Sequence, residues 1–163
     1  MIYLTVDNHR AMEALLARVD VQPIVRAAIR RKLSRARLVF PEDVSARTVT
    51  LNSRVNFRLG EEEAECRTLV TDERFYTPGI ALPVTTPMGI ALLGLSEGDR
   101  TTVRQPDGDA YQIETISIAY QPERARNGAS WKDRSDVVVD LRAHSTRRPH
   151  RPDESRDPDP TAA

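Results

Sequence analysis

The chain has 163 residues, 39% of them apolar and 29% charged, which suits one domain with a core and an appendage and is too little for two ordinary domains. The longest apolar runs, such as Ile90 to Leu93, fall far short of a membrane span. The opening Met-Ile-Tyr-Leu-Thr-Val-Asp lacks the basic, apolar and small-residue blocks of a secretory signal, so a cytoplasmic protein is expected. A formal net charge of zero hides an asymmetry: residues 9–40 carry eight Arg/Lys against two acidic residues, whereas residues 41–121 carry seven arginines against thirteen acidic residues. A basic arm on an acidic body orients a protein in the field of a large charged partner.

In chain order, Met12, Leu15, Leu16 and Val19 recur at helical spacing behind Asp7 or Asn8 as N-cap. After a short tip containing Asp20, Pro23 suits the first turn of a second helix. Val25, Ala28, Ile29, Leu33 and Ala36 form its apolar stripe, and Arg26, Arg30, Arg31 and Arg35 spread over the remaining surface. Residues 1–40 therefore read as a short helical hairpin, in which twelve residues at roughly 1.5 Å each reach about 18 Å. Phe40-Pro41 ends the helical period.

A period of two then sets in. Val49, Leu51, Ser53, Val55 and Phe57 alternate with polar residues, predicting a half-buried strand. Gly60-Glu61-Glu62 turns it into a second strand from Glu65 to Val70, and residues 80–85 make a third piece that Pro83 confines to an edge or bulge. Thr86-Pro87 caps and opens a short helix with Met88, Ala91, Leu92 and Leu95 on its packing face and Gly94 near its end. Two further strands, Asp99 to Arg104 and Tyr111 to Ala119, meet at the turn Pro106-Asp107-Gly108-Asp109. The sum is an α+β body over residues 41–123, an antiparallel sheet with one helix across it. Residues 124–163, rich in Arg, Asp, Ser and Pro, read as a disordered tail, interrupted by the apolar run Val137 to Leu141 with Trp131 upstream.

Several chemistries lack their residues. The three histidines, His9, His144 and His150, lie outside the predicted body, so a Ser-His-Asp or Cys-His site has no base on a rigid element. One cysteine, Cys66, closes no internal disulfide and builds no zinc cluster. No GxxxxGK[ST] or GxGxxG is present to cradle phosphate. No catalytic residue, metal, cofactor or small-molecule substrate is expected.

Four stretches carry a resemblance: Thr-Leu-Asn-Ser-Arg-Val at 50–55, Arg-Thr-Leu-Val at 67–70, Thr-Pro-Met-Gly-Ile-Ala-Leu-Leu-Gly-Leu-Ser-Glu-Gly-Asp at 86–99, and Tyr-Gln-Pro-Glu at 120–123. In this order and spacing, residues Leu38 to Glu123 resemble the C-terminal domain of the Rnk and GreA/GreB transcription elongation factor family. The resemblance implies an FKBP-like sheet embracing one short helix, preceded by an antiparallel coiled coil. It further implies binding to RNA polymerase at the rim of its secondary channel, with Thr86, Pro87 and Met88 in the contact as a rigid proline turn beside an exposed methionine. Gre coiled coils end in acidic residues that help hold magnesium at the polymerase active site. Here the tip offers only Asp20 on a short arm, so the resemblance implies a regulator without transcript-cleavage stimulation.

Two other functions remain to be weighed. An FKBP-like fold can house a peptidyl-prolyl isomerase, whose pocket needs aromatics; Phe57, Phe75, Tyr76 and Tyr111 are the candidates in the body. The basic arm could alternatively bind nucleic acid, although no aromatic is interleaved with its arginines for base stacking.

Overall fold

The structure, a computed structural model, describes residues 1–71 and 73–135. The chain enters as a strand, β1 (Tyr3–Thr5), which pairs in parallel with β2 (Arg37–Val39). Between them lie α1 (Val6–Ala17) and α2 (Pro23–Arg35), so the two-strand ribbon closes the base of the helix pair. The ribbon has no signal in the sequence, since three residues are too few to show a period. It also moves the cap of α1. The side-chain oxygen of Thr5, the last extended residue, accepts a hydrogen bond from the Asn8 amide at 3.2 Å, in place of the expected Asp7 or Asn8.

Asn8, Met12 and Leu15 of α1 and Val25, Ile29 and Lys32 of α2 are buried, at the spacing that puts each set on one helix face. The apolar members join a single hydrophobic cluster that runs on into the body through Val49, Phe57, Ile90 and Ile113. Each large apolar side chain so buried stabilises the fold by roughly 1.5–3 kcal/mol, an upper bound. The helix pair thus packs onto the body. Val19, expected in the packing stripe, is 97% exposed, because α1 has already ended at Ala17.

The body is a five-stranded sheet in the order β5-β4-β3-β7-β6, formed by β3 (Arg54–Leu59), β4 (Glu65–Val70), β5 (Ala81–Pro83), β6 (Arg100–Arg104) and β7 (Ala110–Tyr120). It is not wholly antiparallel: β5 runs parallel to β4, in the register Thr68↔Ala81 and Val70↔Pro83. The chain reaches β5 through a 3-10 turn at Glu73–Phe75, and Pro83, lacking an amide hydrogen, sits in the edge strand. Two register shifts between β3 and β7 curl the sheet. The alternation starting at Val49 predicts a strand from that residue, yet β3 begins only at Arg54. Asn52 adopts φ 64°, and its amide donates to the Leu69 carbonyl at 2.7 Å, making Leu51-Asn52 a tight turn.

α3 (Pro87–Leu92) packs against β5, β6 and β7 and also touches α2. Order does not stop at Glu123: α4 (Pro122–Ser135) follows β7, so the first part of the expected disordered tail is a helix. Its first turn is tied down, because Gln121 and Glu123 are 2% and 5% exposed. The expected disorder of residues 136–163, including the apolar run Val137 to Leu141, concerns a stretch outside the described residues.

Candidate functional site

Thr86 opens α3 from an extended conformation. Its hydroxyl donates to the Pro83 carbonyl at 2.7 Å and accepts from the Gly89 amide at 3.1 Å. Pro87 follows at the first helical position, where its missing amide hydrogen costs nothing. Gly89 lets the helix lie directly on β5: a Cβ there would stand 2.0 Å from the Pro83 carbonyl oxygen. The turn Thr86–Pro87–Met88 is therefore held from both sides. All three residues are half-buried, and Met88 packs against the core where an exposed side chain was expected.

The far end of α3 is held by a residue that sequence reasoning did not single out. Lys32, 7% exposed, extends its ammonium from α2 to the Ala91 carbonyl at 3.0 Å and to the Leu93 carbonyl. It satisfies carbonyls that a helix end leaves without partners and places a cation at the negative end of the helix dipole. Burial, and after it the neighbouring Arg31 charge, pushes Lys32 down from 10.5 to about 7. Its place was legible as a lysine standing at an apolar position, since Val25, Ile29 and Lys32 share one helix face. Just beyond, Gly94 takes φ +79° and its carbonyl accepts from the Tyr3 amide at 3.2 Å; a Cβ there would meet the Tyr3 carbonyl oxygen at 2.7 Å. Lys32 and Gly94 together join the helix pair to the body.

Between α2, α3 and β6 lies a groove of about 630 Å³. Ile24, Ala28, Ile90, Leu95 and Val103 make its apolar walls, and Pro87 also borders it. Its polar lining consists of Arg31, Lys32, Arg35, Thr101, Thr102 and Arg104, without a carboxylate.

The expected arm residues separate into distinct roles. Asp20 at the tip accepts from the Arg18 guanidinium, with Nε to Oδ1 at 2.9 Å. Arg26 does not lie free on the arm: it donates to the Leu16 carbonyl at 3.0 Å and the Arg18 carbonyl at 2.5 Å, binding the end of α1 to the start of α2. Arg30, Arg31 and Arg35 are exposed, and of these Arg31 and Arg35 line the groove. No group of three His, Cys, Asp or Glu placed to hold a metal occurs among the described residues. The carboxylate at the tip, that of Asp20, is engaged by Arg18.

Two of the motifs quoted above meet in space. Thr50 donates to Glu123 at 2.6 Å and lies 2.9 Å from the Ser53 hydroxyl, while Gln121 Nε2 donates to the Ser45 and Thr48 carbonyls at 2.9 and 2.8 Å. Thr-Leu-Asn-Ser and Tyr-Gln-Pro-Glu are thus the two halves of a buried polar clasp that fastens α4 to the sheet. The aromatic candidates for an isomerase pocket are scattered: Phe57 is 2% exposed in the core, and Phe75, Tyr76 and Tyr111 are exposed. None of them lines the groove. No helix of the described residues is long and apolar enough to cross a membrane.

Comparison with known proteins agrees with this architecture. Residues 44–120 match the family described as transcription elongation factor, GreA/GreB, C-terminal. The chain is 40% identical over 99 residues to the regulator of nucleoside diphosphate kinase of Escherichia coli strain K12, covering 60% of this chain and 73% of that protein; the Shigella flexneri regulator matches to the same extent. Among solved structures, the prokaryotic transcription elongation factor GreA/GreB from Nitrosomonas europaea superposes with a TM-score of 0.58 at 32% identity, over 73% of this chain and 98% of that one. A sheet crossed by one capped helix, a helix pair seated on that helix and this run of matches lead to one conclusion: the chain belongs to the GreA/GreB transcription elongation factor family, in the company of the Rnk regulators.

Proposed function

We propose that this chain is a transcription regulator that docks on RNA polymerase at the rim of the secondary channel through Thr86, Pro87 and Met88, and that it does not stimulate transcript cleavage. The observation that carries the reading is the GreA/GreB match over residues 44–120, within which this turn is capped at Thr86 and backed by β5 through Gly89. A turn already ordered before binding loses little conformational freedom on docking, which favours it as a contact. The absence of cleavage stimulation is supported by the tip, where Asp20 is engaged by Arg18, and by helices of 12 and 13 residues that pack on the body. The chain acts as a regulator and not as an enzyme. The name of its relatives extends the proposal to a regulatory effect on nucleoside diphosphate kinase.

The test is retention on immobilised core RNA polymerase, followed by transcript cleavage in stalled elongation complexes. The wild type is expected to be retained and to leave transcripts intact. Pro87→Ala with Met88→Gln, which keeps the Thr86 cap, should reduce retention about 10-fold or more, the equivalent of roughly 1.4 kcal/mol. Undiminished retention of a variant that melts like the wild type would sink the contact assignment. Cleavage above background would sink the regulatory half.

A further inference from the structure

The groove between α2, α3 and β6 carries arginines that neither the fold nor docking through Thr86–Met88 requires. Arg31 and Arg35 stand on α2 and Arg104 on β6, so cations from two elements converge on one opening. None of the three has a carboxylate partner among the described residues. Other arginines of the body do have such partners, Arg47 with Glu97 at 2.9 Å and Arg100 with Glu114 at 3.0 Å. Deeper in the groove, the buried Lys32 ammonium is satisfied only by neutral carbonyls, and no acidic side chain lines the cavity. Thr101 and Thr102 add hydroxyls beside Arg104, and the remaining walls are aliphatic.

We infer that this groove is a binding site for a small organic polyphosphate, an anionic head on an apolar or planar body. Guanidinium groups bind phosphate oxygens in a two-pronged geometry, and several of them on one cavity favour a ligand of more than one negative charge. The aliphatic walls favour a ligand with an apolar part over a bare anion. A volume of about 630 Å³ falls within the range of small-molecule sites. The site left no phosphate-loop signature because it is assembled from residues 31, 35 and 104, brought together by the packing of α2 beside α3 and β6.

The test is isothermal titration calorimetry of the full chain at moderate salt, with ADP, inorganic pyrophosphate and oligoglutamate as probes. ADP is expected to bind, more weakly as salt rises, and more tightly than pyrophosphate. Arg31→Gln combined with Arg104→Gln, exposed positions that leave the Lys32 clamp intact, should weaken ADP binding about 10-fold or more. Arg30→Gln, on the same helix but outside the groove, should leave it unchanged. Absence of ADP binding at millimolar concentration, or equal loss in the Arg30 variant, would overturn the site. Oligoglutamate binding more tightly than ADP would overturn the ligand class in favour of an acidic peptide. All of these readouts use the chain alone, so they stand or fall separately from polymerase docking.

Discussion

The lysine that joins the helix pair to the body makes a prediction about pH. Lys32 titrates at about 7 in the folded chain and at 10.5 when exposed, so between these values the unfolded chain holds a proton that the folded chain has released. Stability then rises with pH across that window and is flat, with the full penalty, below it. Arg31 is the neighbouring charge that acts on the ammonium, Arg35 and Arg104 line the same groove, and α3 and the residue after it contribute the Ala91 and Leu93 carbonyls. Lys32→Met keeps the apolar stem and removes the titration. It also leaves the Ala91 and Leu93 carbonyls without their donor, at about 1–3 kcal/mol each, while relieving the cost of a buried charge. The offset between wild type and variant at one pH is therefore a difference of two large terms, and the slope is the cleaner quantity. From about pH 7.5 to about pH 9.5 the wild type should gain about 2–3 kcal/mol relative to Lys32→Met. Urea unfolding of both chains at several pH values measures this, because every group other than residue 32 is common to the two chains and cancels in the difference. Parallel stability curves would refute the claim that Lys32 is buried without a counter-charge.

Two further substitutions probe how the site is held. Gly89→Ala places a Cβ 2.0 Å from the Pro83 carbonyl oxygen, backbone that cannot rotate away, so α3 must lift from β5. A loss at the upper end of about 1–3 kcal/mol is expected, read as a fall in melting temperature, and a neutral substitution would contradict the close packing. Glu123→Ala removes the acceptor of the Thr50 hydroxyl at 2.6 Å and should cost about 1–3 kcal/mol. Hydrogen exchange should then show faster opening of residues 122–128, whereas unchanged protection there would mean that the clasp does not hold α4.

The family motifs look different once their neighbours are known. Thr50, Ser53, Gln121 and Glu123 make an internal clasp, and Gly89 and Gly94 allow close approaches of backbone. Pro87 and Met88 are half-buried and take no part in the clasp or in these close approaches, which is why the proposed polymerase contact is tested at those two residues. The charge asymmetry of the sequence also divides. Arg26 is spent within the helix pair and Lys32 within its junction to the body, while Arg31 and Arg35 are left on the groove.

By itself the sequence determined the local elements that carry a period or a stop. These are two amphipathic helices, the hairpins at Gly60 and Gly108, the edge strand at Pro83, and the Thr86-Pro87 start of α3, each a matter of residues within a few positions of one another. Tertiary structure decided whatever needed partners far along the chain. The β1–β2 ribbon is too short to show a pattern and exists because α1 and α2 bring its strands together. The parallel β4–β5 pairing depends on the path of the connection and not on either strand. α4 persists because Glu123 finds Thr50, 73 residues away, to anchor an otherwise polar helix. The cationic groove arises only when residue 104 comes to face residues 31 and 35, a meeting that no local propensity encodes.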